Sequence, residues 1–383
     1  MKMKRLFIAT LIIAIGLNAQ TQDIIKLLVG TYTNGSSKGI YAFNFNQQTG
    51  EASPLDTLEI KNPSYLTPSM DGMMIYAVSE NNNTTASVNA ISFDDESGKM
   101  KMVKSVPTRG EDPCFVETNG NLLLTANYSG GSVSVFPLDM KGNLSTMTQQ
   151  FDGTANGPDP DRQRTPHIHC VRFIPDGSGV LATDFSADRL LRFNLDDMQR
   201  LGRPSVAAEL TKGSGPRHLT FSTESRFVYV MSELSGAITA YNYNFGKMRK
   251  IQEIQSDETG AHGGADIHVS PDGRFLYTSN RLKNDGIAIF RRNQTTGMLT
   301  KIGYQPTGIH PRHFNITPNG RFLLCACRDD NTIQVFRINS STGLLTDTGQ
   351  NIRVDKPACV QFYPIVMLTD MPGNGTFKVI EKK

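Results

Sequence analysis

Apolar and polar residues alternate along most of the chain in short runs, which is the pattern of β-strands rather than of helices. The runs are rich in Val, Ile, Phe, Tyr and Thr, and turn residues such as Pro271-Asp272-Gly273 separate them. Four consecutive runs, at residues 267–270, 275–279, 287–291 and 299–304, illustrate the unit. This pattern predicts four antiparallel strands joined by turns and loops.

The four-strand unit recurs along the chain. Its first strand begins near a Pro or Gly in every copy, and these positions lie 46 to 53 residues apart: Pro63, Pro113, Pro166, Pro216, Gly264, Pro311 and Pro357. A repeat of this length, built from four short strands, is typical of a blade of a β-propeller.

The chain begins and ends out of phase with the repeat. Residues 27–32 match a second strand and residues 39–45 a third, whereas residues 358–363 match a first strand. Pairing the two ends would complete one blade and remove the exposed sheet edges of an open ring. We therefore predict an all-β, seven-bladed β-propeller of four-stranded antiparallel blades over residues 24–370, with one blade closed by both termini. Residues 153–165 are predicted as a long loop and residues 371–383 as a C-terminal tail.

The first residues have a different character. Lys2, Lys4 and Arg5 precede an apolar stretch at residues 6–17, and the small residue Ala19 follows. This order is typical of a secretory signal peptide, and the stretch is shorter than the roughly 20 residues that a membrane span needs. We predict a signal peptide over residues 1–19, export to the periplasm and no membrane span after cleavage. A non-functional signal would leave the protein in the cytoplasm.

Charge and cysteine usage exclude some classes of function. The chain has 39 Lys and Arg against 36 Asp and Glu. The predicted signal peptide holds three of the basic residues, so the rest is neutral and has no general attraction to nucleic acid. Five Cys residues lie within apolar patterns, which favours buried reduced thiols over metal ligands. We predict no metal, no cofactor, and a monomer or weak oligomer.

Aligning the copies with one another identifies two sets of positions. The strand-1 ring, at the start of the first strand, holds Ser64, His169, Arg217, Ala265 and Arg312, and the copy near Cys114 aligns poorly. The strand-2 ring, near the end of the second strand, holds Tyr32, Glu80, Tyr128, Phe185, Glu233, Arg281 and Arg328. These strands are antiparallel neighbours, so both rings should face the same mouth of the central channel.

The residue types in the two rings predict a pocket for an anion. Taken singly, each charged strand end could simply cap a wet channel with an ion pair. Taken together, convergent arginines suit a carboxylate or phosphate, and a neighbouring His or Glu can act as general base. Asp266, which alternates with Ile267, could orient a residue of the site.

Several segments resemble the seven-bladed β-propeller lactonase family, over residues 27–363. They are Gly215-Pro216-Arg217-His218, Ser232-Glu233-Leu234, residues 265–274 and Asn280-Arg281. That family includes the propeller-type 6-phosphogluconolactonase and the 3-carboxy-cis,cis-muconate lactonising enzyme. By motif position, the resemblance implies the catalytic residues His169, Glu233, Arg217 and Arg281. We predict the substrate-binding residues Arg312, Arg328, Glu80, Tyr128 and Asp266.

The leading hypothesis is hydrolysis of an anionic sugar-acid lactone, as when 6-phosphogluconolactone becomes 6-phosphogluconate. Water would attack the carbonyl with His169 or Glu233 as base, and Arg217 or Arg281 would stabilise the oxyanion. The phosphorylated lactone is a cytosolic intermediate, so the predicted export leaves the identity of the lactone open. Two alternatives are a non-catalytic periplasmic propeller that binds an anion or a partner, and a muconate-type cycloisomerase.

Overall fold

The computed structural model describes residues 23–364, which form 29 β-strands and a short 3-10 turn at Arg328–Asp330. The predicted signal peptide and C-terminal tail lie outside the described residues, as do residues 365–370 of the predicted domain. Within residues 23–364, no helix is long and apolar enough to cross a membrane. The all-β class predicted from the sequence is confirmed.

In chain order, strands β1 to β29 are Ile24–Thr31, Gly39–Asn46, Ala52–Glu59, Leu66–Pro68, Met74–Ser79, Ser87–Phe93, Met100–Pro107, Pro113–Thr118, Leu122–Asn127, Ser132–Pro137, Gln149–Asp152, Ile168–Phe173, Gly179–Asp184, Arg189–Asn194, Ser205–Glu209, Pro216–Phe221, Phe227–Ser232, Ala237–Asn244, Lys247–Gln255, Gly264–Val269, Phe275–Asn280, Gly286–Arg292, Leu299–Pro306, Pro311–Ile316, Phe322–Cys327, Thr332–Ile338, Leu345–Asp347, Ile352–Arg353 and Pro357–Phe362.

These strands form seven antiparallel sheets, which are the blades. Blade 1 combines β29 with β1, β2 and β3. Blades 2 to 6 follow as β4–β7, β8–β11, β12–β15, β16–β19 and β20–β23. Blade 7 holds β24–β28, in which β27 and β28 both pair with β26. Each blade from 2 to 7 therefore uses one consecutive copy of the repeat.

Both termini close blade 1, as predicted. Strand β29 pairs with β1 in register Leu28↔Gln361 and Val29↔Val360. This pairing covers the strand edge that an open ring would expose to other chains.

The second strand of blades 2 to 7 is buried along its whole length. Neighbouring blades stack on both of its faces, so these strands are apolar throughout instead of alternating. Three of them carry a Tyr whose hydroxyl reaches a turn in another blade: Tyr229 donates to the Gly297 carbonyl, and Tyr277 donates to the Gly343 carbonyl, each at 2.8 Å. Tyr76 does the same toward Gly142 at 2.7 Å. The blades are thus joined by hydrogen bonds as well as by apolar packing.

Candidate active site

The two predicted rings meet at one mouth of the channel because a backbone hydrogen bond repeats in every blade. The N–H of each strand-2 ring residue donates to the carbonyl two residues before the matching strand-1 ring position, at 2.7–3.0 Å. The pairs are Tyr32–Lys356, Glu80–Asn62, Tyr128–Asp112, Phe185–His167, Glu233–Gly215, Arg281–Gly263 and Arg328–His310. The start of each first strand is therefore tied to the end of its neighbour.

Several strand-1 ring residues are the extra residues of β-bulges. In β16 the register runs from Pro216↔Ser232 to His218↔Met231, which leaves Arg217 without a partner. His169 in β12 and Arg312 in β24 occupy the same bulge position. A bulge locally bends its strand and re-aims a side chain. This bend brings the His and Arg side chains to the mouth.

The same bulge in blade 3 places Cys114 in the strand-1 ring. This copy aligns poorly in the sequence because no charged residue marks its ring position. The thiol of Cys114 donates to the His169 carbonyl at 3.4 Å, and its sulfur lies 3.7 Å from His169 Nδ1.

Glu233 lies at the centre of the charged residues. Its Oε2 accepts from Arg217 Nε at 2.9 Å and lies 3.2 Å from Arg281 Nη2. Its Oε1 accepts from Arg162 Nη2 at 2.6 Å. Burial raises the pKa of Glu233, but Arg281, Arg217 and Arg162 outweigh burial and lower it to about 2. Glu233 is therefore ionised and weakly basic at neutral pH.

Backbone carbonyls at the entrance to blade 6 hold two of these arginines. Arg217 Nη1 donates to the Ala265 carbonyl at 2.9 Å, and Arg281 donates to the carbonyls of Gly263 and Gly264 at 2.9 and 3.1 Å. A Cβ on Gly263 would lie 2.4 Å from the Arg281 carbonyl oxygen, so glycine lets these two backbone segments pack closely. Both guanidinium groups are thus fixed before any ligand arrives.

His169 is buried and held in its neutral form. Burial and then the charge of Arg217 keep its pKa well below the usual value of 6.5. No hydrogen-bond partner of its Nε2 is found within residues 23–364. A neutral imidazole with a free ring nitrogen can take or share a proton at neutral pH.

Arg312 lies beside Glu80 on the other side of the mouth. Its Nη2 is 3.8 Å from Glu80 Oε2, and its guanidinium lies over the ring of Tyr32 at 5.1 Å. Glu80 itself accepts from the Tyr32 hydroxyl at 2.9 Å and from the Ser64 hydroxyl. The part of the chain that the structure describes offers Arg312 no closer acceptor, so its N–H groups are available to an anion.

Arg328 lies nearer the rim, with 27% of its side chain exposed. Asp329 accepts two hydrogen bonds from it, at 3.0 and 2.8 Å. His310 lies between the two arginines, with Nδ1 at 3.2 Å from Arg328 and Nε2 at 3.3 Å from Arg281. The charge of Arg328 is therefore partly compensated, and its predicted binding role is more peripheral than that of Arg312.

Tyr128 forms the wall next to His169. Its ring stacks on His167 at 4.2 Å and meets His169 edge-on at 5.5 Å. Its hydroxyl lies 3.4 Å from Arg162 Nη2, which comes from the predicted long loop. Arg162 and His310 both lie in loops before a first strand, outside the ring positions, so the repeat does not reveal them.

Asp266 lies below the mouth and is 2% exposed. Its carboxylate accepts from His218 Nδ1 at 2.8 Å, His268 Nε2 at 3.0 Å and the Phe314 N–H at 3.1 Å. His313 Nε2 lies 3.5 Å away. Asp266 is thus placed to orient these histidines and lies below the mouth, whereas its predicted binding role would need it at the mouth.

The donor atoms of Asp266, His268 and His313 lie within 4.8 Å of one another, a spacing that a metal could use. However, the Val360 N–H donates to His313 Nδ1 at 3.2 Å. In a neutral imidazole the proton must then be on Nε2, which faces Asp266. In this tautomer Nε2 has no lone pair for a metal, and it lies 3.5 Å from the Asp266 carboxylate without forming a hydrogen bond.

The mouth carries an excess of positive charge. The two rings bring together Arg217, Arg281, Arg312 and Arg328 but only Glu80 and Glu233 as acids. Such an excess favours an anionic ligand. Another cavity, of about 540 Å³, is lined by strand ends and a turn on the opposite face, among them Leu122, Thr148 and Arg200. It has no comparable convergence of charged groups.

The neutral histidines predict that the fold weakens in mild acid. Burial and then Arg217 lower the pKa of His218 to about 3, and burial lowers that of His313 to about 4. Unfolded histidines titrate near 6.5, so the unfolded state binds more protons below that pH. Stability should be complete above about pH 6.5 and should fall as the pH drops toward 4. Urea unfolding midpoints between pH 7.5 and 4.5 test this, and a constant midpoint would contradict it.

Comparison with known proteins agrees with the fold and the motifs. The family described as "Lactonase, 7-bladed beta-propeller" matches residues 26–362. A 6-phosphogluconolactonase of Formosa agariphila is 34% identical over 88% of this chain and 99% of the relative. One from Bacillus subtilis is also 34% identical, over 87% and 97%.

Solved structures are similar over nearly the same span. The periplasmic gluconolactonase of Pseudomonas aeruginosa is 31% identical, with a TM-score of 0.83 over 89% of this chain and 99% of that chain. A crystal structure from Bacteroides uniformis is 56% identical, with a TM-score of 0.88 over 89% and 100%. The chain belongs to the seven-bladed β-propeller lactonase family.

Proposed function

We propose that this protein hydrolyses a sugar-acid lactone, with the channel mouth as its active site. The observation that carries the proposal is the convergence on one mouth of neutral His169, fixed Arg217 and Arg281, and the available guanidinium of Arg312. Relatives named 6-phosphogluconolactonase and gluconolactonase support the reaction class.

In the proposed reaction, water attacks the lactone carbonyl and negative charge develops on the carbonyl oxygen. Arg217 and Arg281 are fixed before binding, so they can stabilise that charge without reorganising. His169 is neutral and lies at the mouth with a free ring nitrogen, so it can donate or accept a proton there. Glu233 is ionised, with a pKa of about 2, and pairs with three arginines. Glu233 instead holds the arginines in place.

The proposed substrate is anionic. Arg312 would bind its phosphate or carboxylate, with Arg328, Tyr128 and Glu80 around it. This suits 6-phosphogluconolactone. Export through the predicted signal peptide at residues 1–19 would instead favour an unphosphorylated sugar-acid lactone, whose charge would have to come from a second, free carboxylate. The periplasmic gluconolactonase among the similar structures supports the second setting. The proposal therefore includes export of the protein to the periplasm.

A substrate panel tests the proposal. Purified protein would be given 6-phosphogluconolactone, gluconolactone and a 3-carboxymuconate, with acid release followed in a pH-stat and muconate followed by its absorbance. We expect catalysed acid release from at least one lactone. The absorbance of the 3-carboxymuconate should stay constant. Muconate turnover would instead indicate a cycloisomerase. Tight anion binding without turnover would indicate a binding propeller.

A further inference from the structure

His218 and Asp266 form a buried pair that the mechanism above does not use. Asp266 Oδ1 lies 2.8 Å from His218 Nδ1, and the two residues are 2% and 4% exposed. The pKa of Asp266 is well below its usual value: burial opposes ionisation, but the N–H groups of the surrounding histidines outweigh burial. An ionised carboxylate can only accept, so Nδ1 carries the proton and Nε2 has a free lone pair. A base oriented by a carboxylate is the arrangement that activates nucleophiles in hydrolases.

The Nε2 of His218 is buried and has no hydrogen-bond partner within residues 23–364. Leaving a buried polar atom unpaired is costly, so such an atom calls for an explanation. His218 also lines a small cavity of about 10 Å³, together with Ser64, Cys114, Arg217 and Arg312. This volume is about that of one water molecule, and the walls offer polar partners.

The β-bulge in β16 explains why two consecutive residues can serve this cavity. In a regular strand, Arg217 and His218 would point to opposite faces. Because Arg217 is the extra residue of the bulge, both side chains line the same cavity. The guanidinium of Arg217 thus lies beside the imidazole that follows it.

We propose that this cavity holds the hydrolytic water and that His218 Nε2 is the base that activates it. This assignment rests on the proposed lactonase function and places the base one layer below His169. The water oxygen forms a bond to the carbonyl carbon, and its proton passes to Nε2. When the bond from that carbon to the ring oxygen breaks, the ring oxygen takes the proton from His218. The product is the open hydroxy acid, whose carboxyl proton goes to solvent.

The neighbouring groups then have separate tasks. Asp266 is a positioning residue, because it holds the Nδ1–H tautomer of His218 and does not line the cavity. His169 has no such carboxylate, and its Nδ1 faces the sulfur of Cys114. The ring centroids of His169 and His218 are 5.1 Å apart, so His169 can hydrogen-bond to the leaving ring oxygen.

His218→Asn tests the assignment, with His268→Asn as the matched control. Asn can keep a donor to Asp266 but lacks the Nε2 lone pair. We expect kcat to fall about 100-fold or more with KM little changed. The remaining rate, corrected for spontaneous hydrolysis, should rise about tenfold per pH unit, because hydroxide replaces the activated water. His268 donates to the same carboxylate but does not line the cavity, so His268→Asn should keep wild-type kcat.

Other outcomes overturn the assignment. Equal losses of kcat in both variants would show that Asp266 and its histidines only support the fold. A kcat of His218→Asn within about threefold of wild type would also overturn it. If that variant does not fold, a high-resolution crystal structure of the wild type decides. An ordered water within hydrogen-bond distance of His218 Nε2 would support the water site, and the absence of such a water would refute it. A wild type that hydrolyses no lactone would instead refute the proposed function itself.

Discussion

Arg217→Ala is expected to lower kcat for lactone hydrolysis about 100- to 1000-fold. Arg217 is 2% exposed and is held by Glu233 and by the Ala265 carbonyl, so its charge is fixed where the oxyanion would form. Its removal also leaves the Glu233 carboxylate paired with only two arginines, Arg162 and Arg281. Steady-state kinetics on the best lactone of the panel would measure the loss.

Two further variants separate charge from geometry. Arg217→Lys keeps the positive charge but lacks the planar fork that reaches both Glu233 and the Ala265 carbonyl, so we expect an intermediate rate. Arg291→Ala removes an exposed arginine of β22 outside the rings and should leave kcat unchanged. Wild-type kcat in Arg217→Ala would contradict the assigned role.

Glu233→Gln should lower the free energy of unfolding by about 3–5 kcal/mol. The variant removes the only carboxylate that contacts Arg162, Arg217 and Arg281 among the described residues. Those guanidinium groups would then repel one another where water screens poorly. Urea unfolding at pH 7.5 would measure the change.

Glu80→Gln is the matched comparison in the same ring. Its carboxylate lies 3.8 Å from Arg312, and its other contacts are hydroxyl groups, so we expect a smaller loss than for Glu233→Gln. Added phosphate should recover part of the stability of Glu233→Gln, because an anion can replace the lost charge. Equal losses in the two variants would contradict the central place given to Glu233.

The fold could be predicted because each blade repeats the same turn chemistry. In blades 2 to 7 a Pro or Gly lies at the start of the first strand or up to three residues before it. A residue with positive φ, such as Gly273 (φ 70°) or Gly320 (φ 71°), closes the turn to the second strand. The shared blade was visible because the missing first strand at one end matched the surplus strand at the other. That match is confirmed by the pairing of β29 with β1.

The site was predictable only in part. Ring positions could be counted from the turns, so the repeat alone predicts His169 and the ring arginines at one mouth. Arg162 and His310 lie in loops that do not repeat, so no alignment of copies could find them. The pKa of Glu233 depends on three arginines from separate blades and loops, which sequence spacing does not reveal. The same holds for the buried pair of His218 and Asp266.

The most direct test of the lactonase account is the rate at which wild-type protein opens an anionic sugar-acid lactone at pH 7. The account predicts that 6-phosphogluconolactone or a related lactone is hydrolysed to the open hydroxy acid, with a kcat/KM of about 10⁴ M⁻¹s⁻¹ or more. Rates equal to spontaneous hydrolysis for every lactone tried would contradict it.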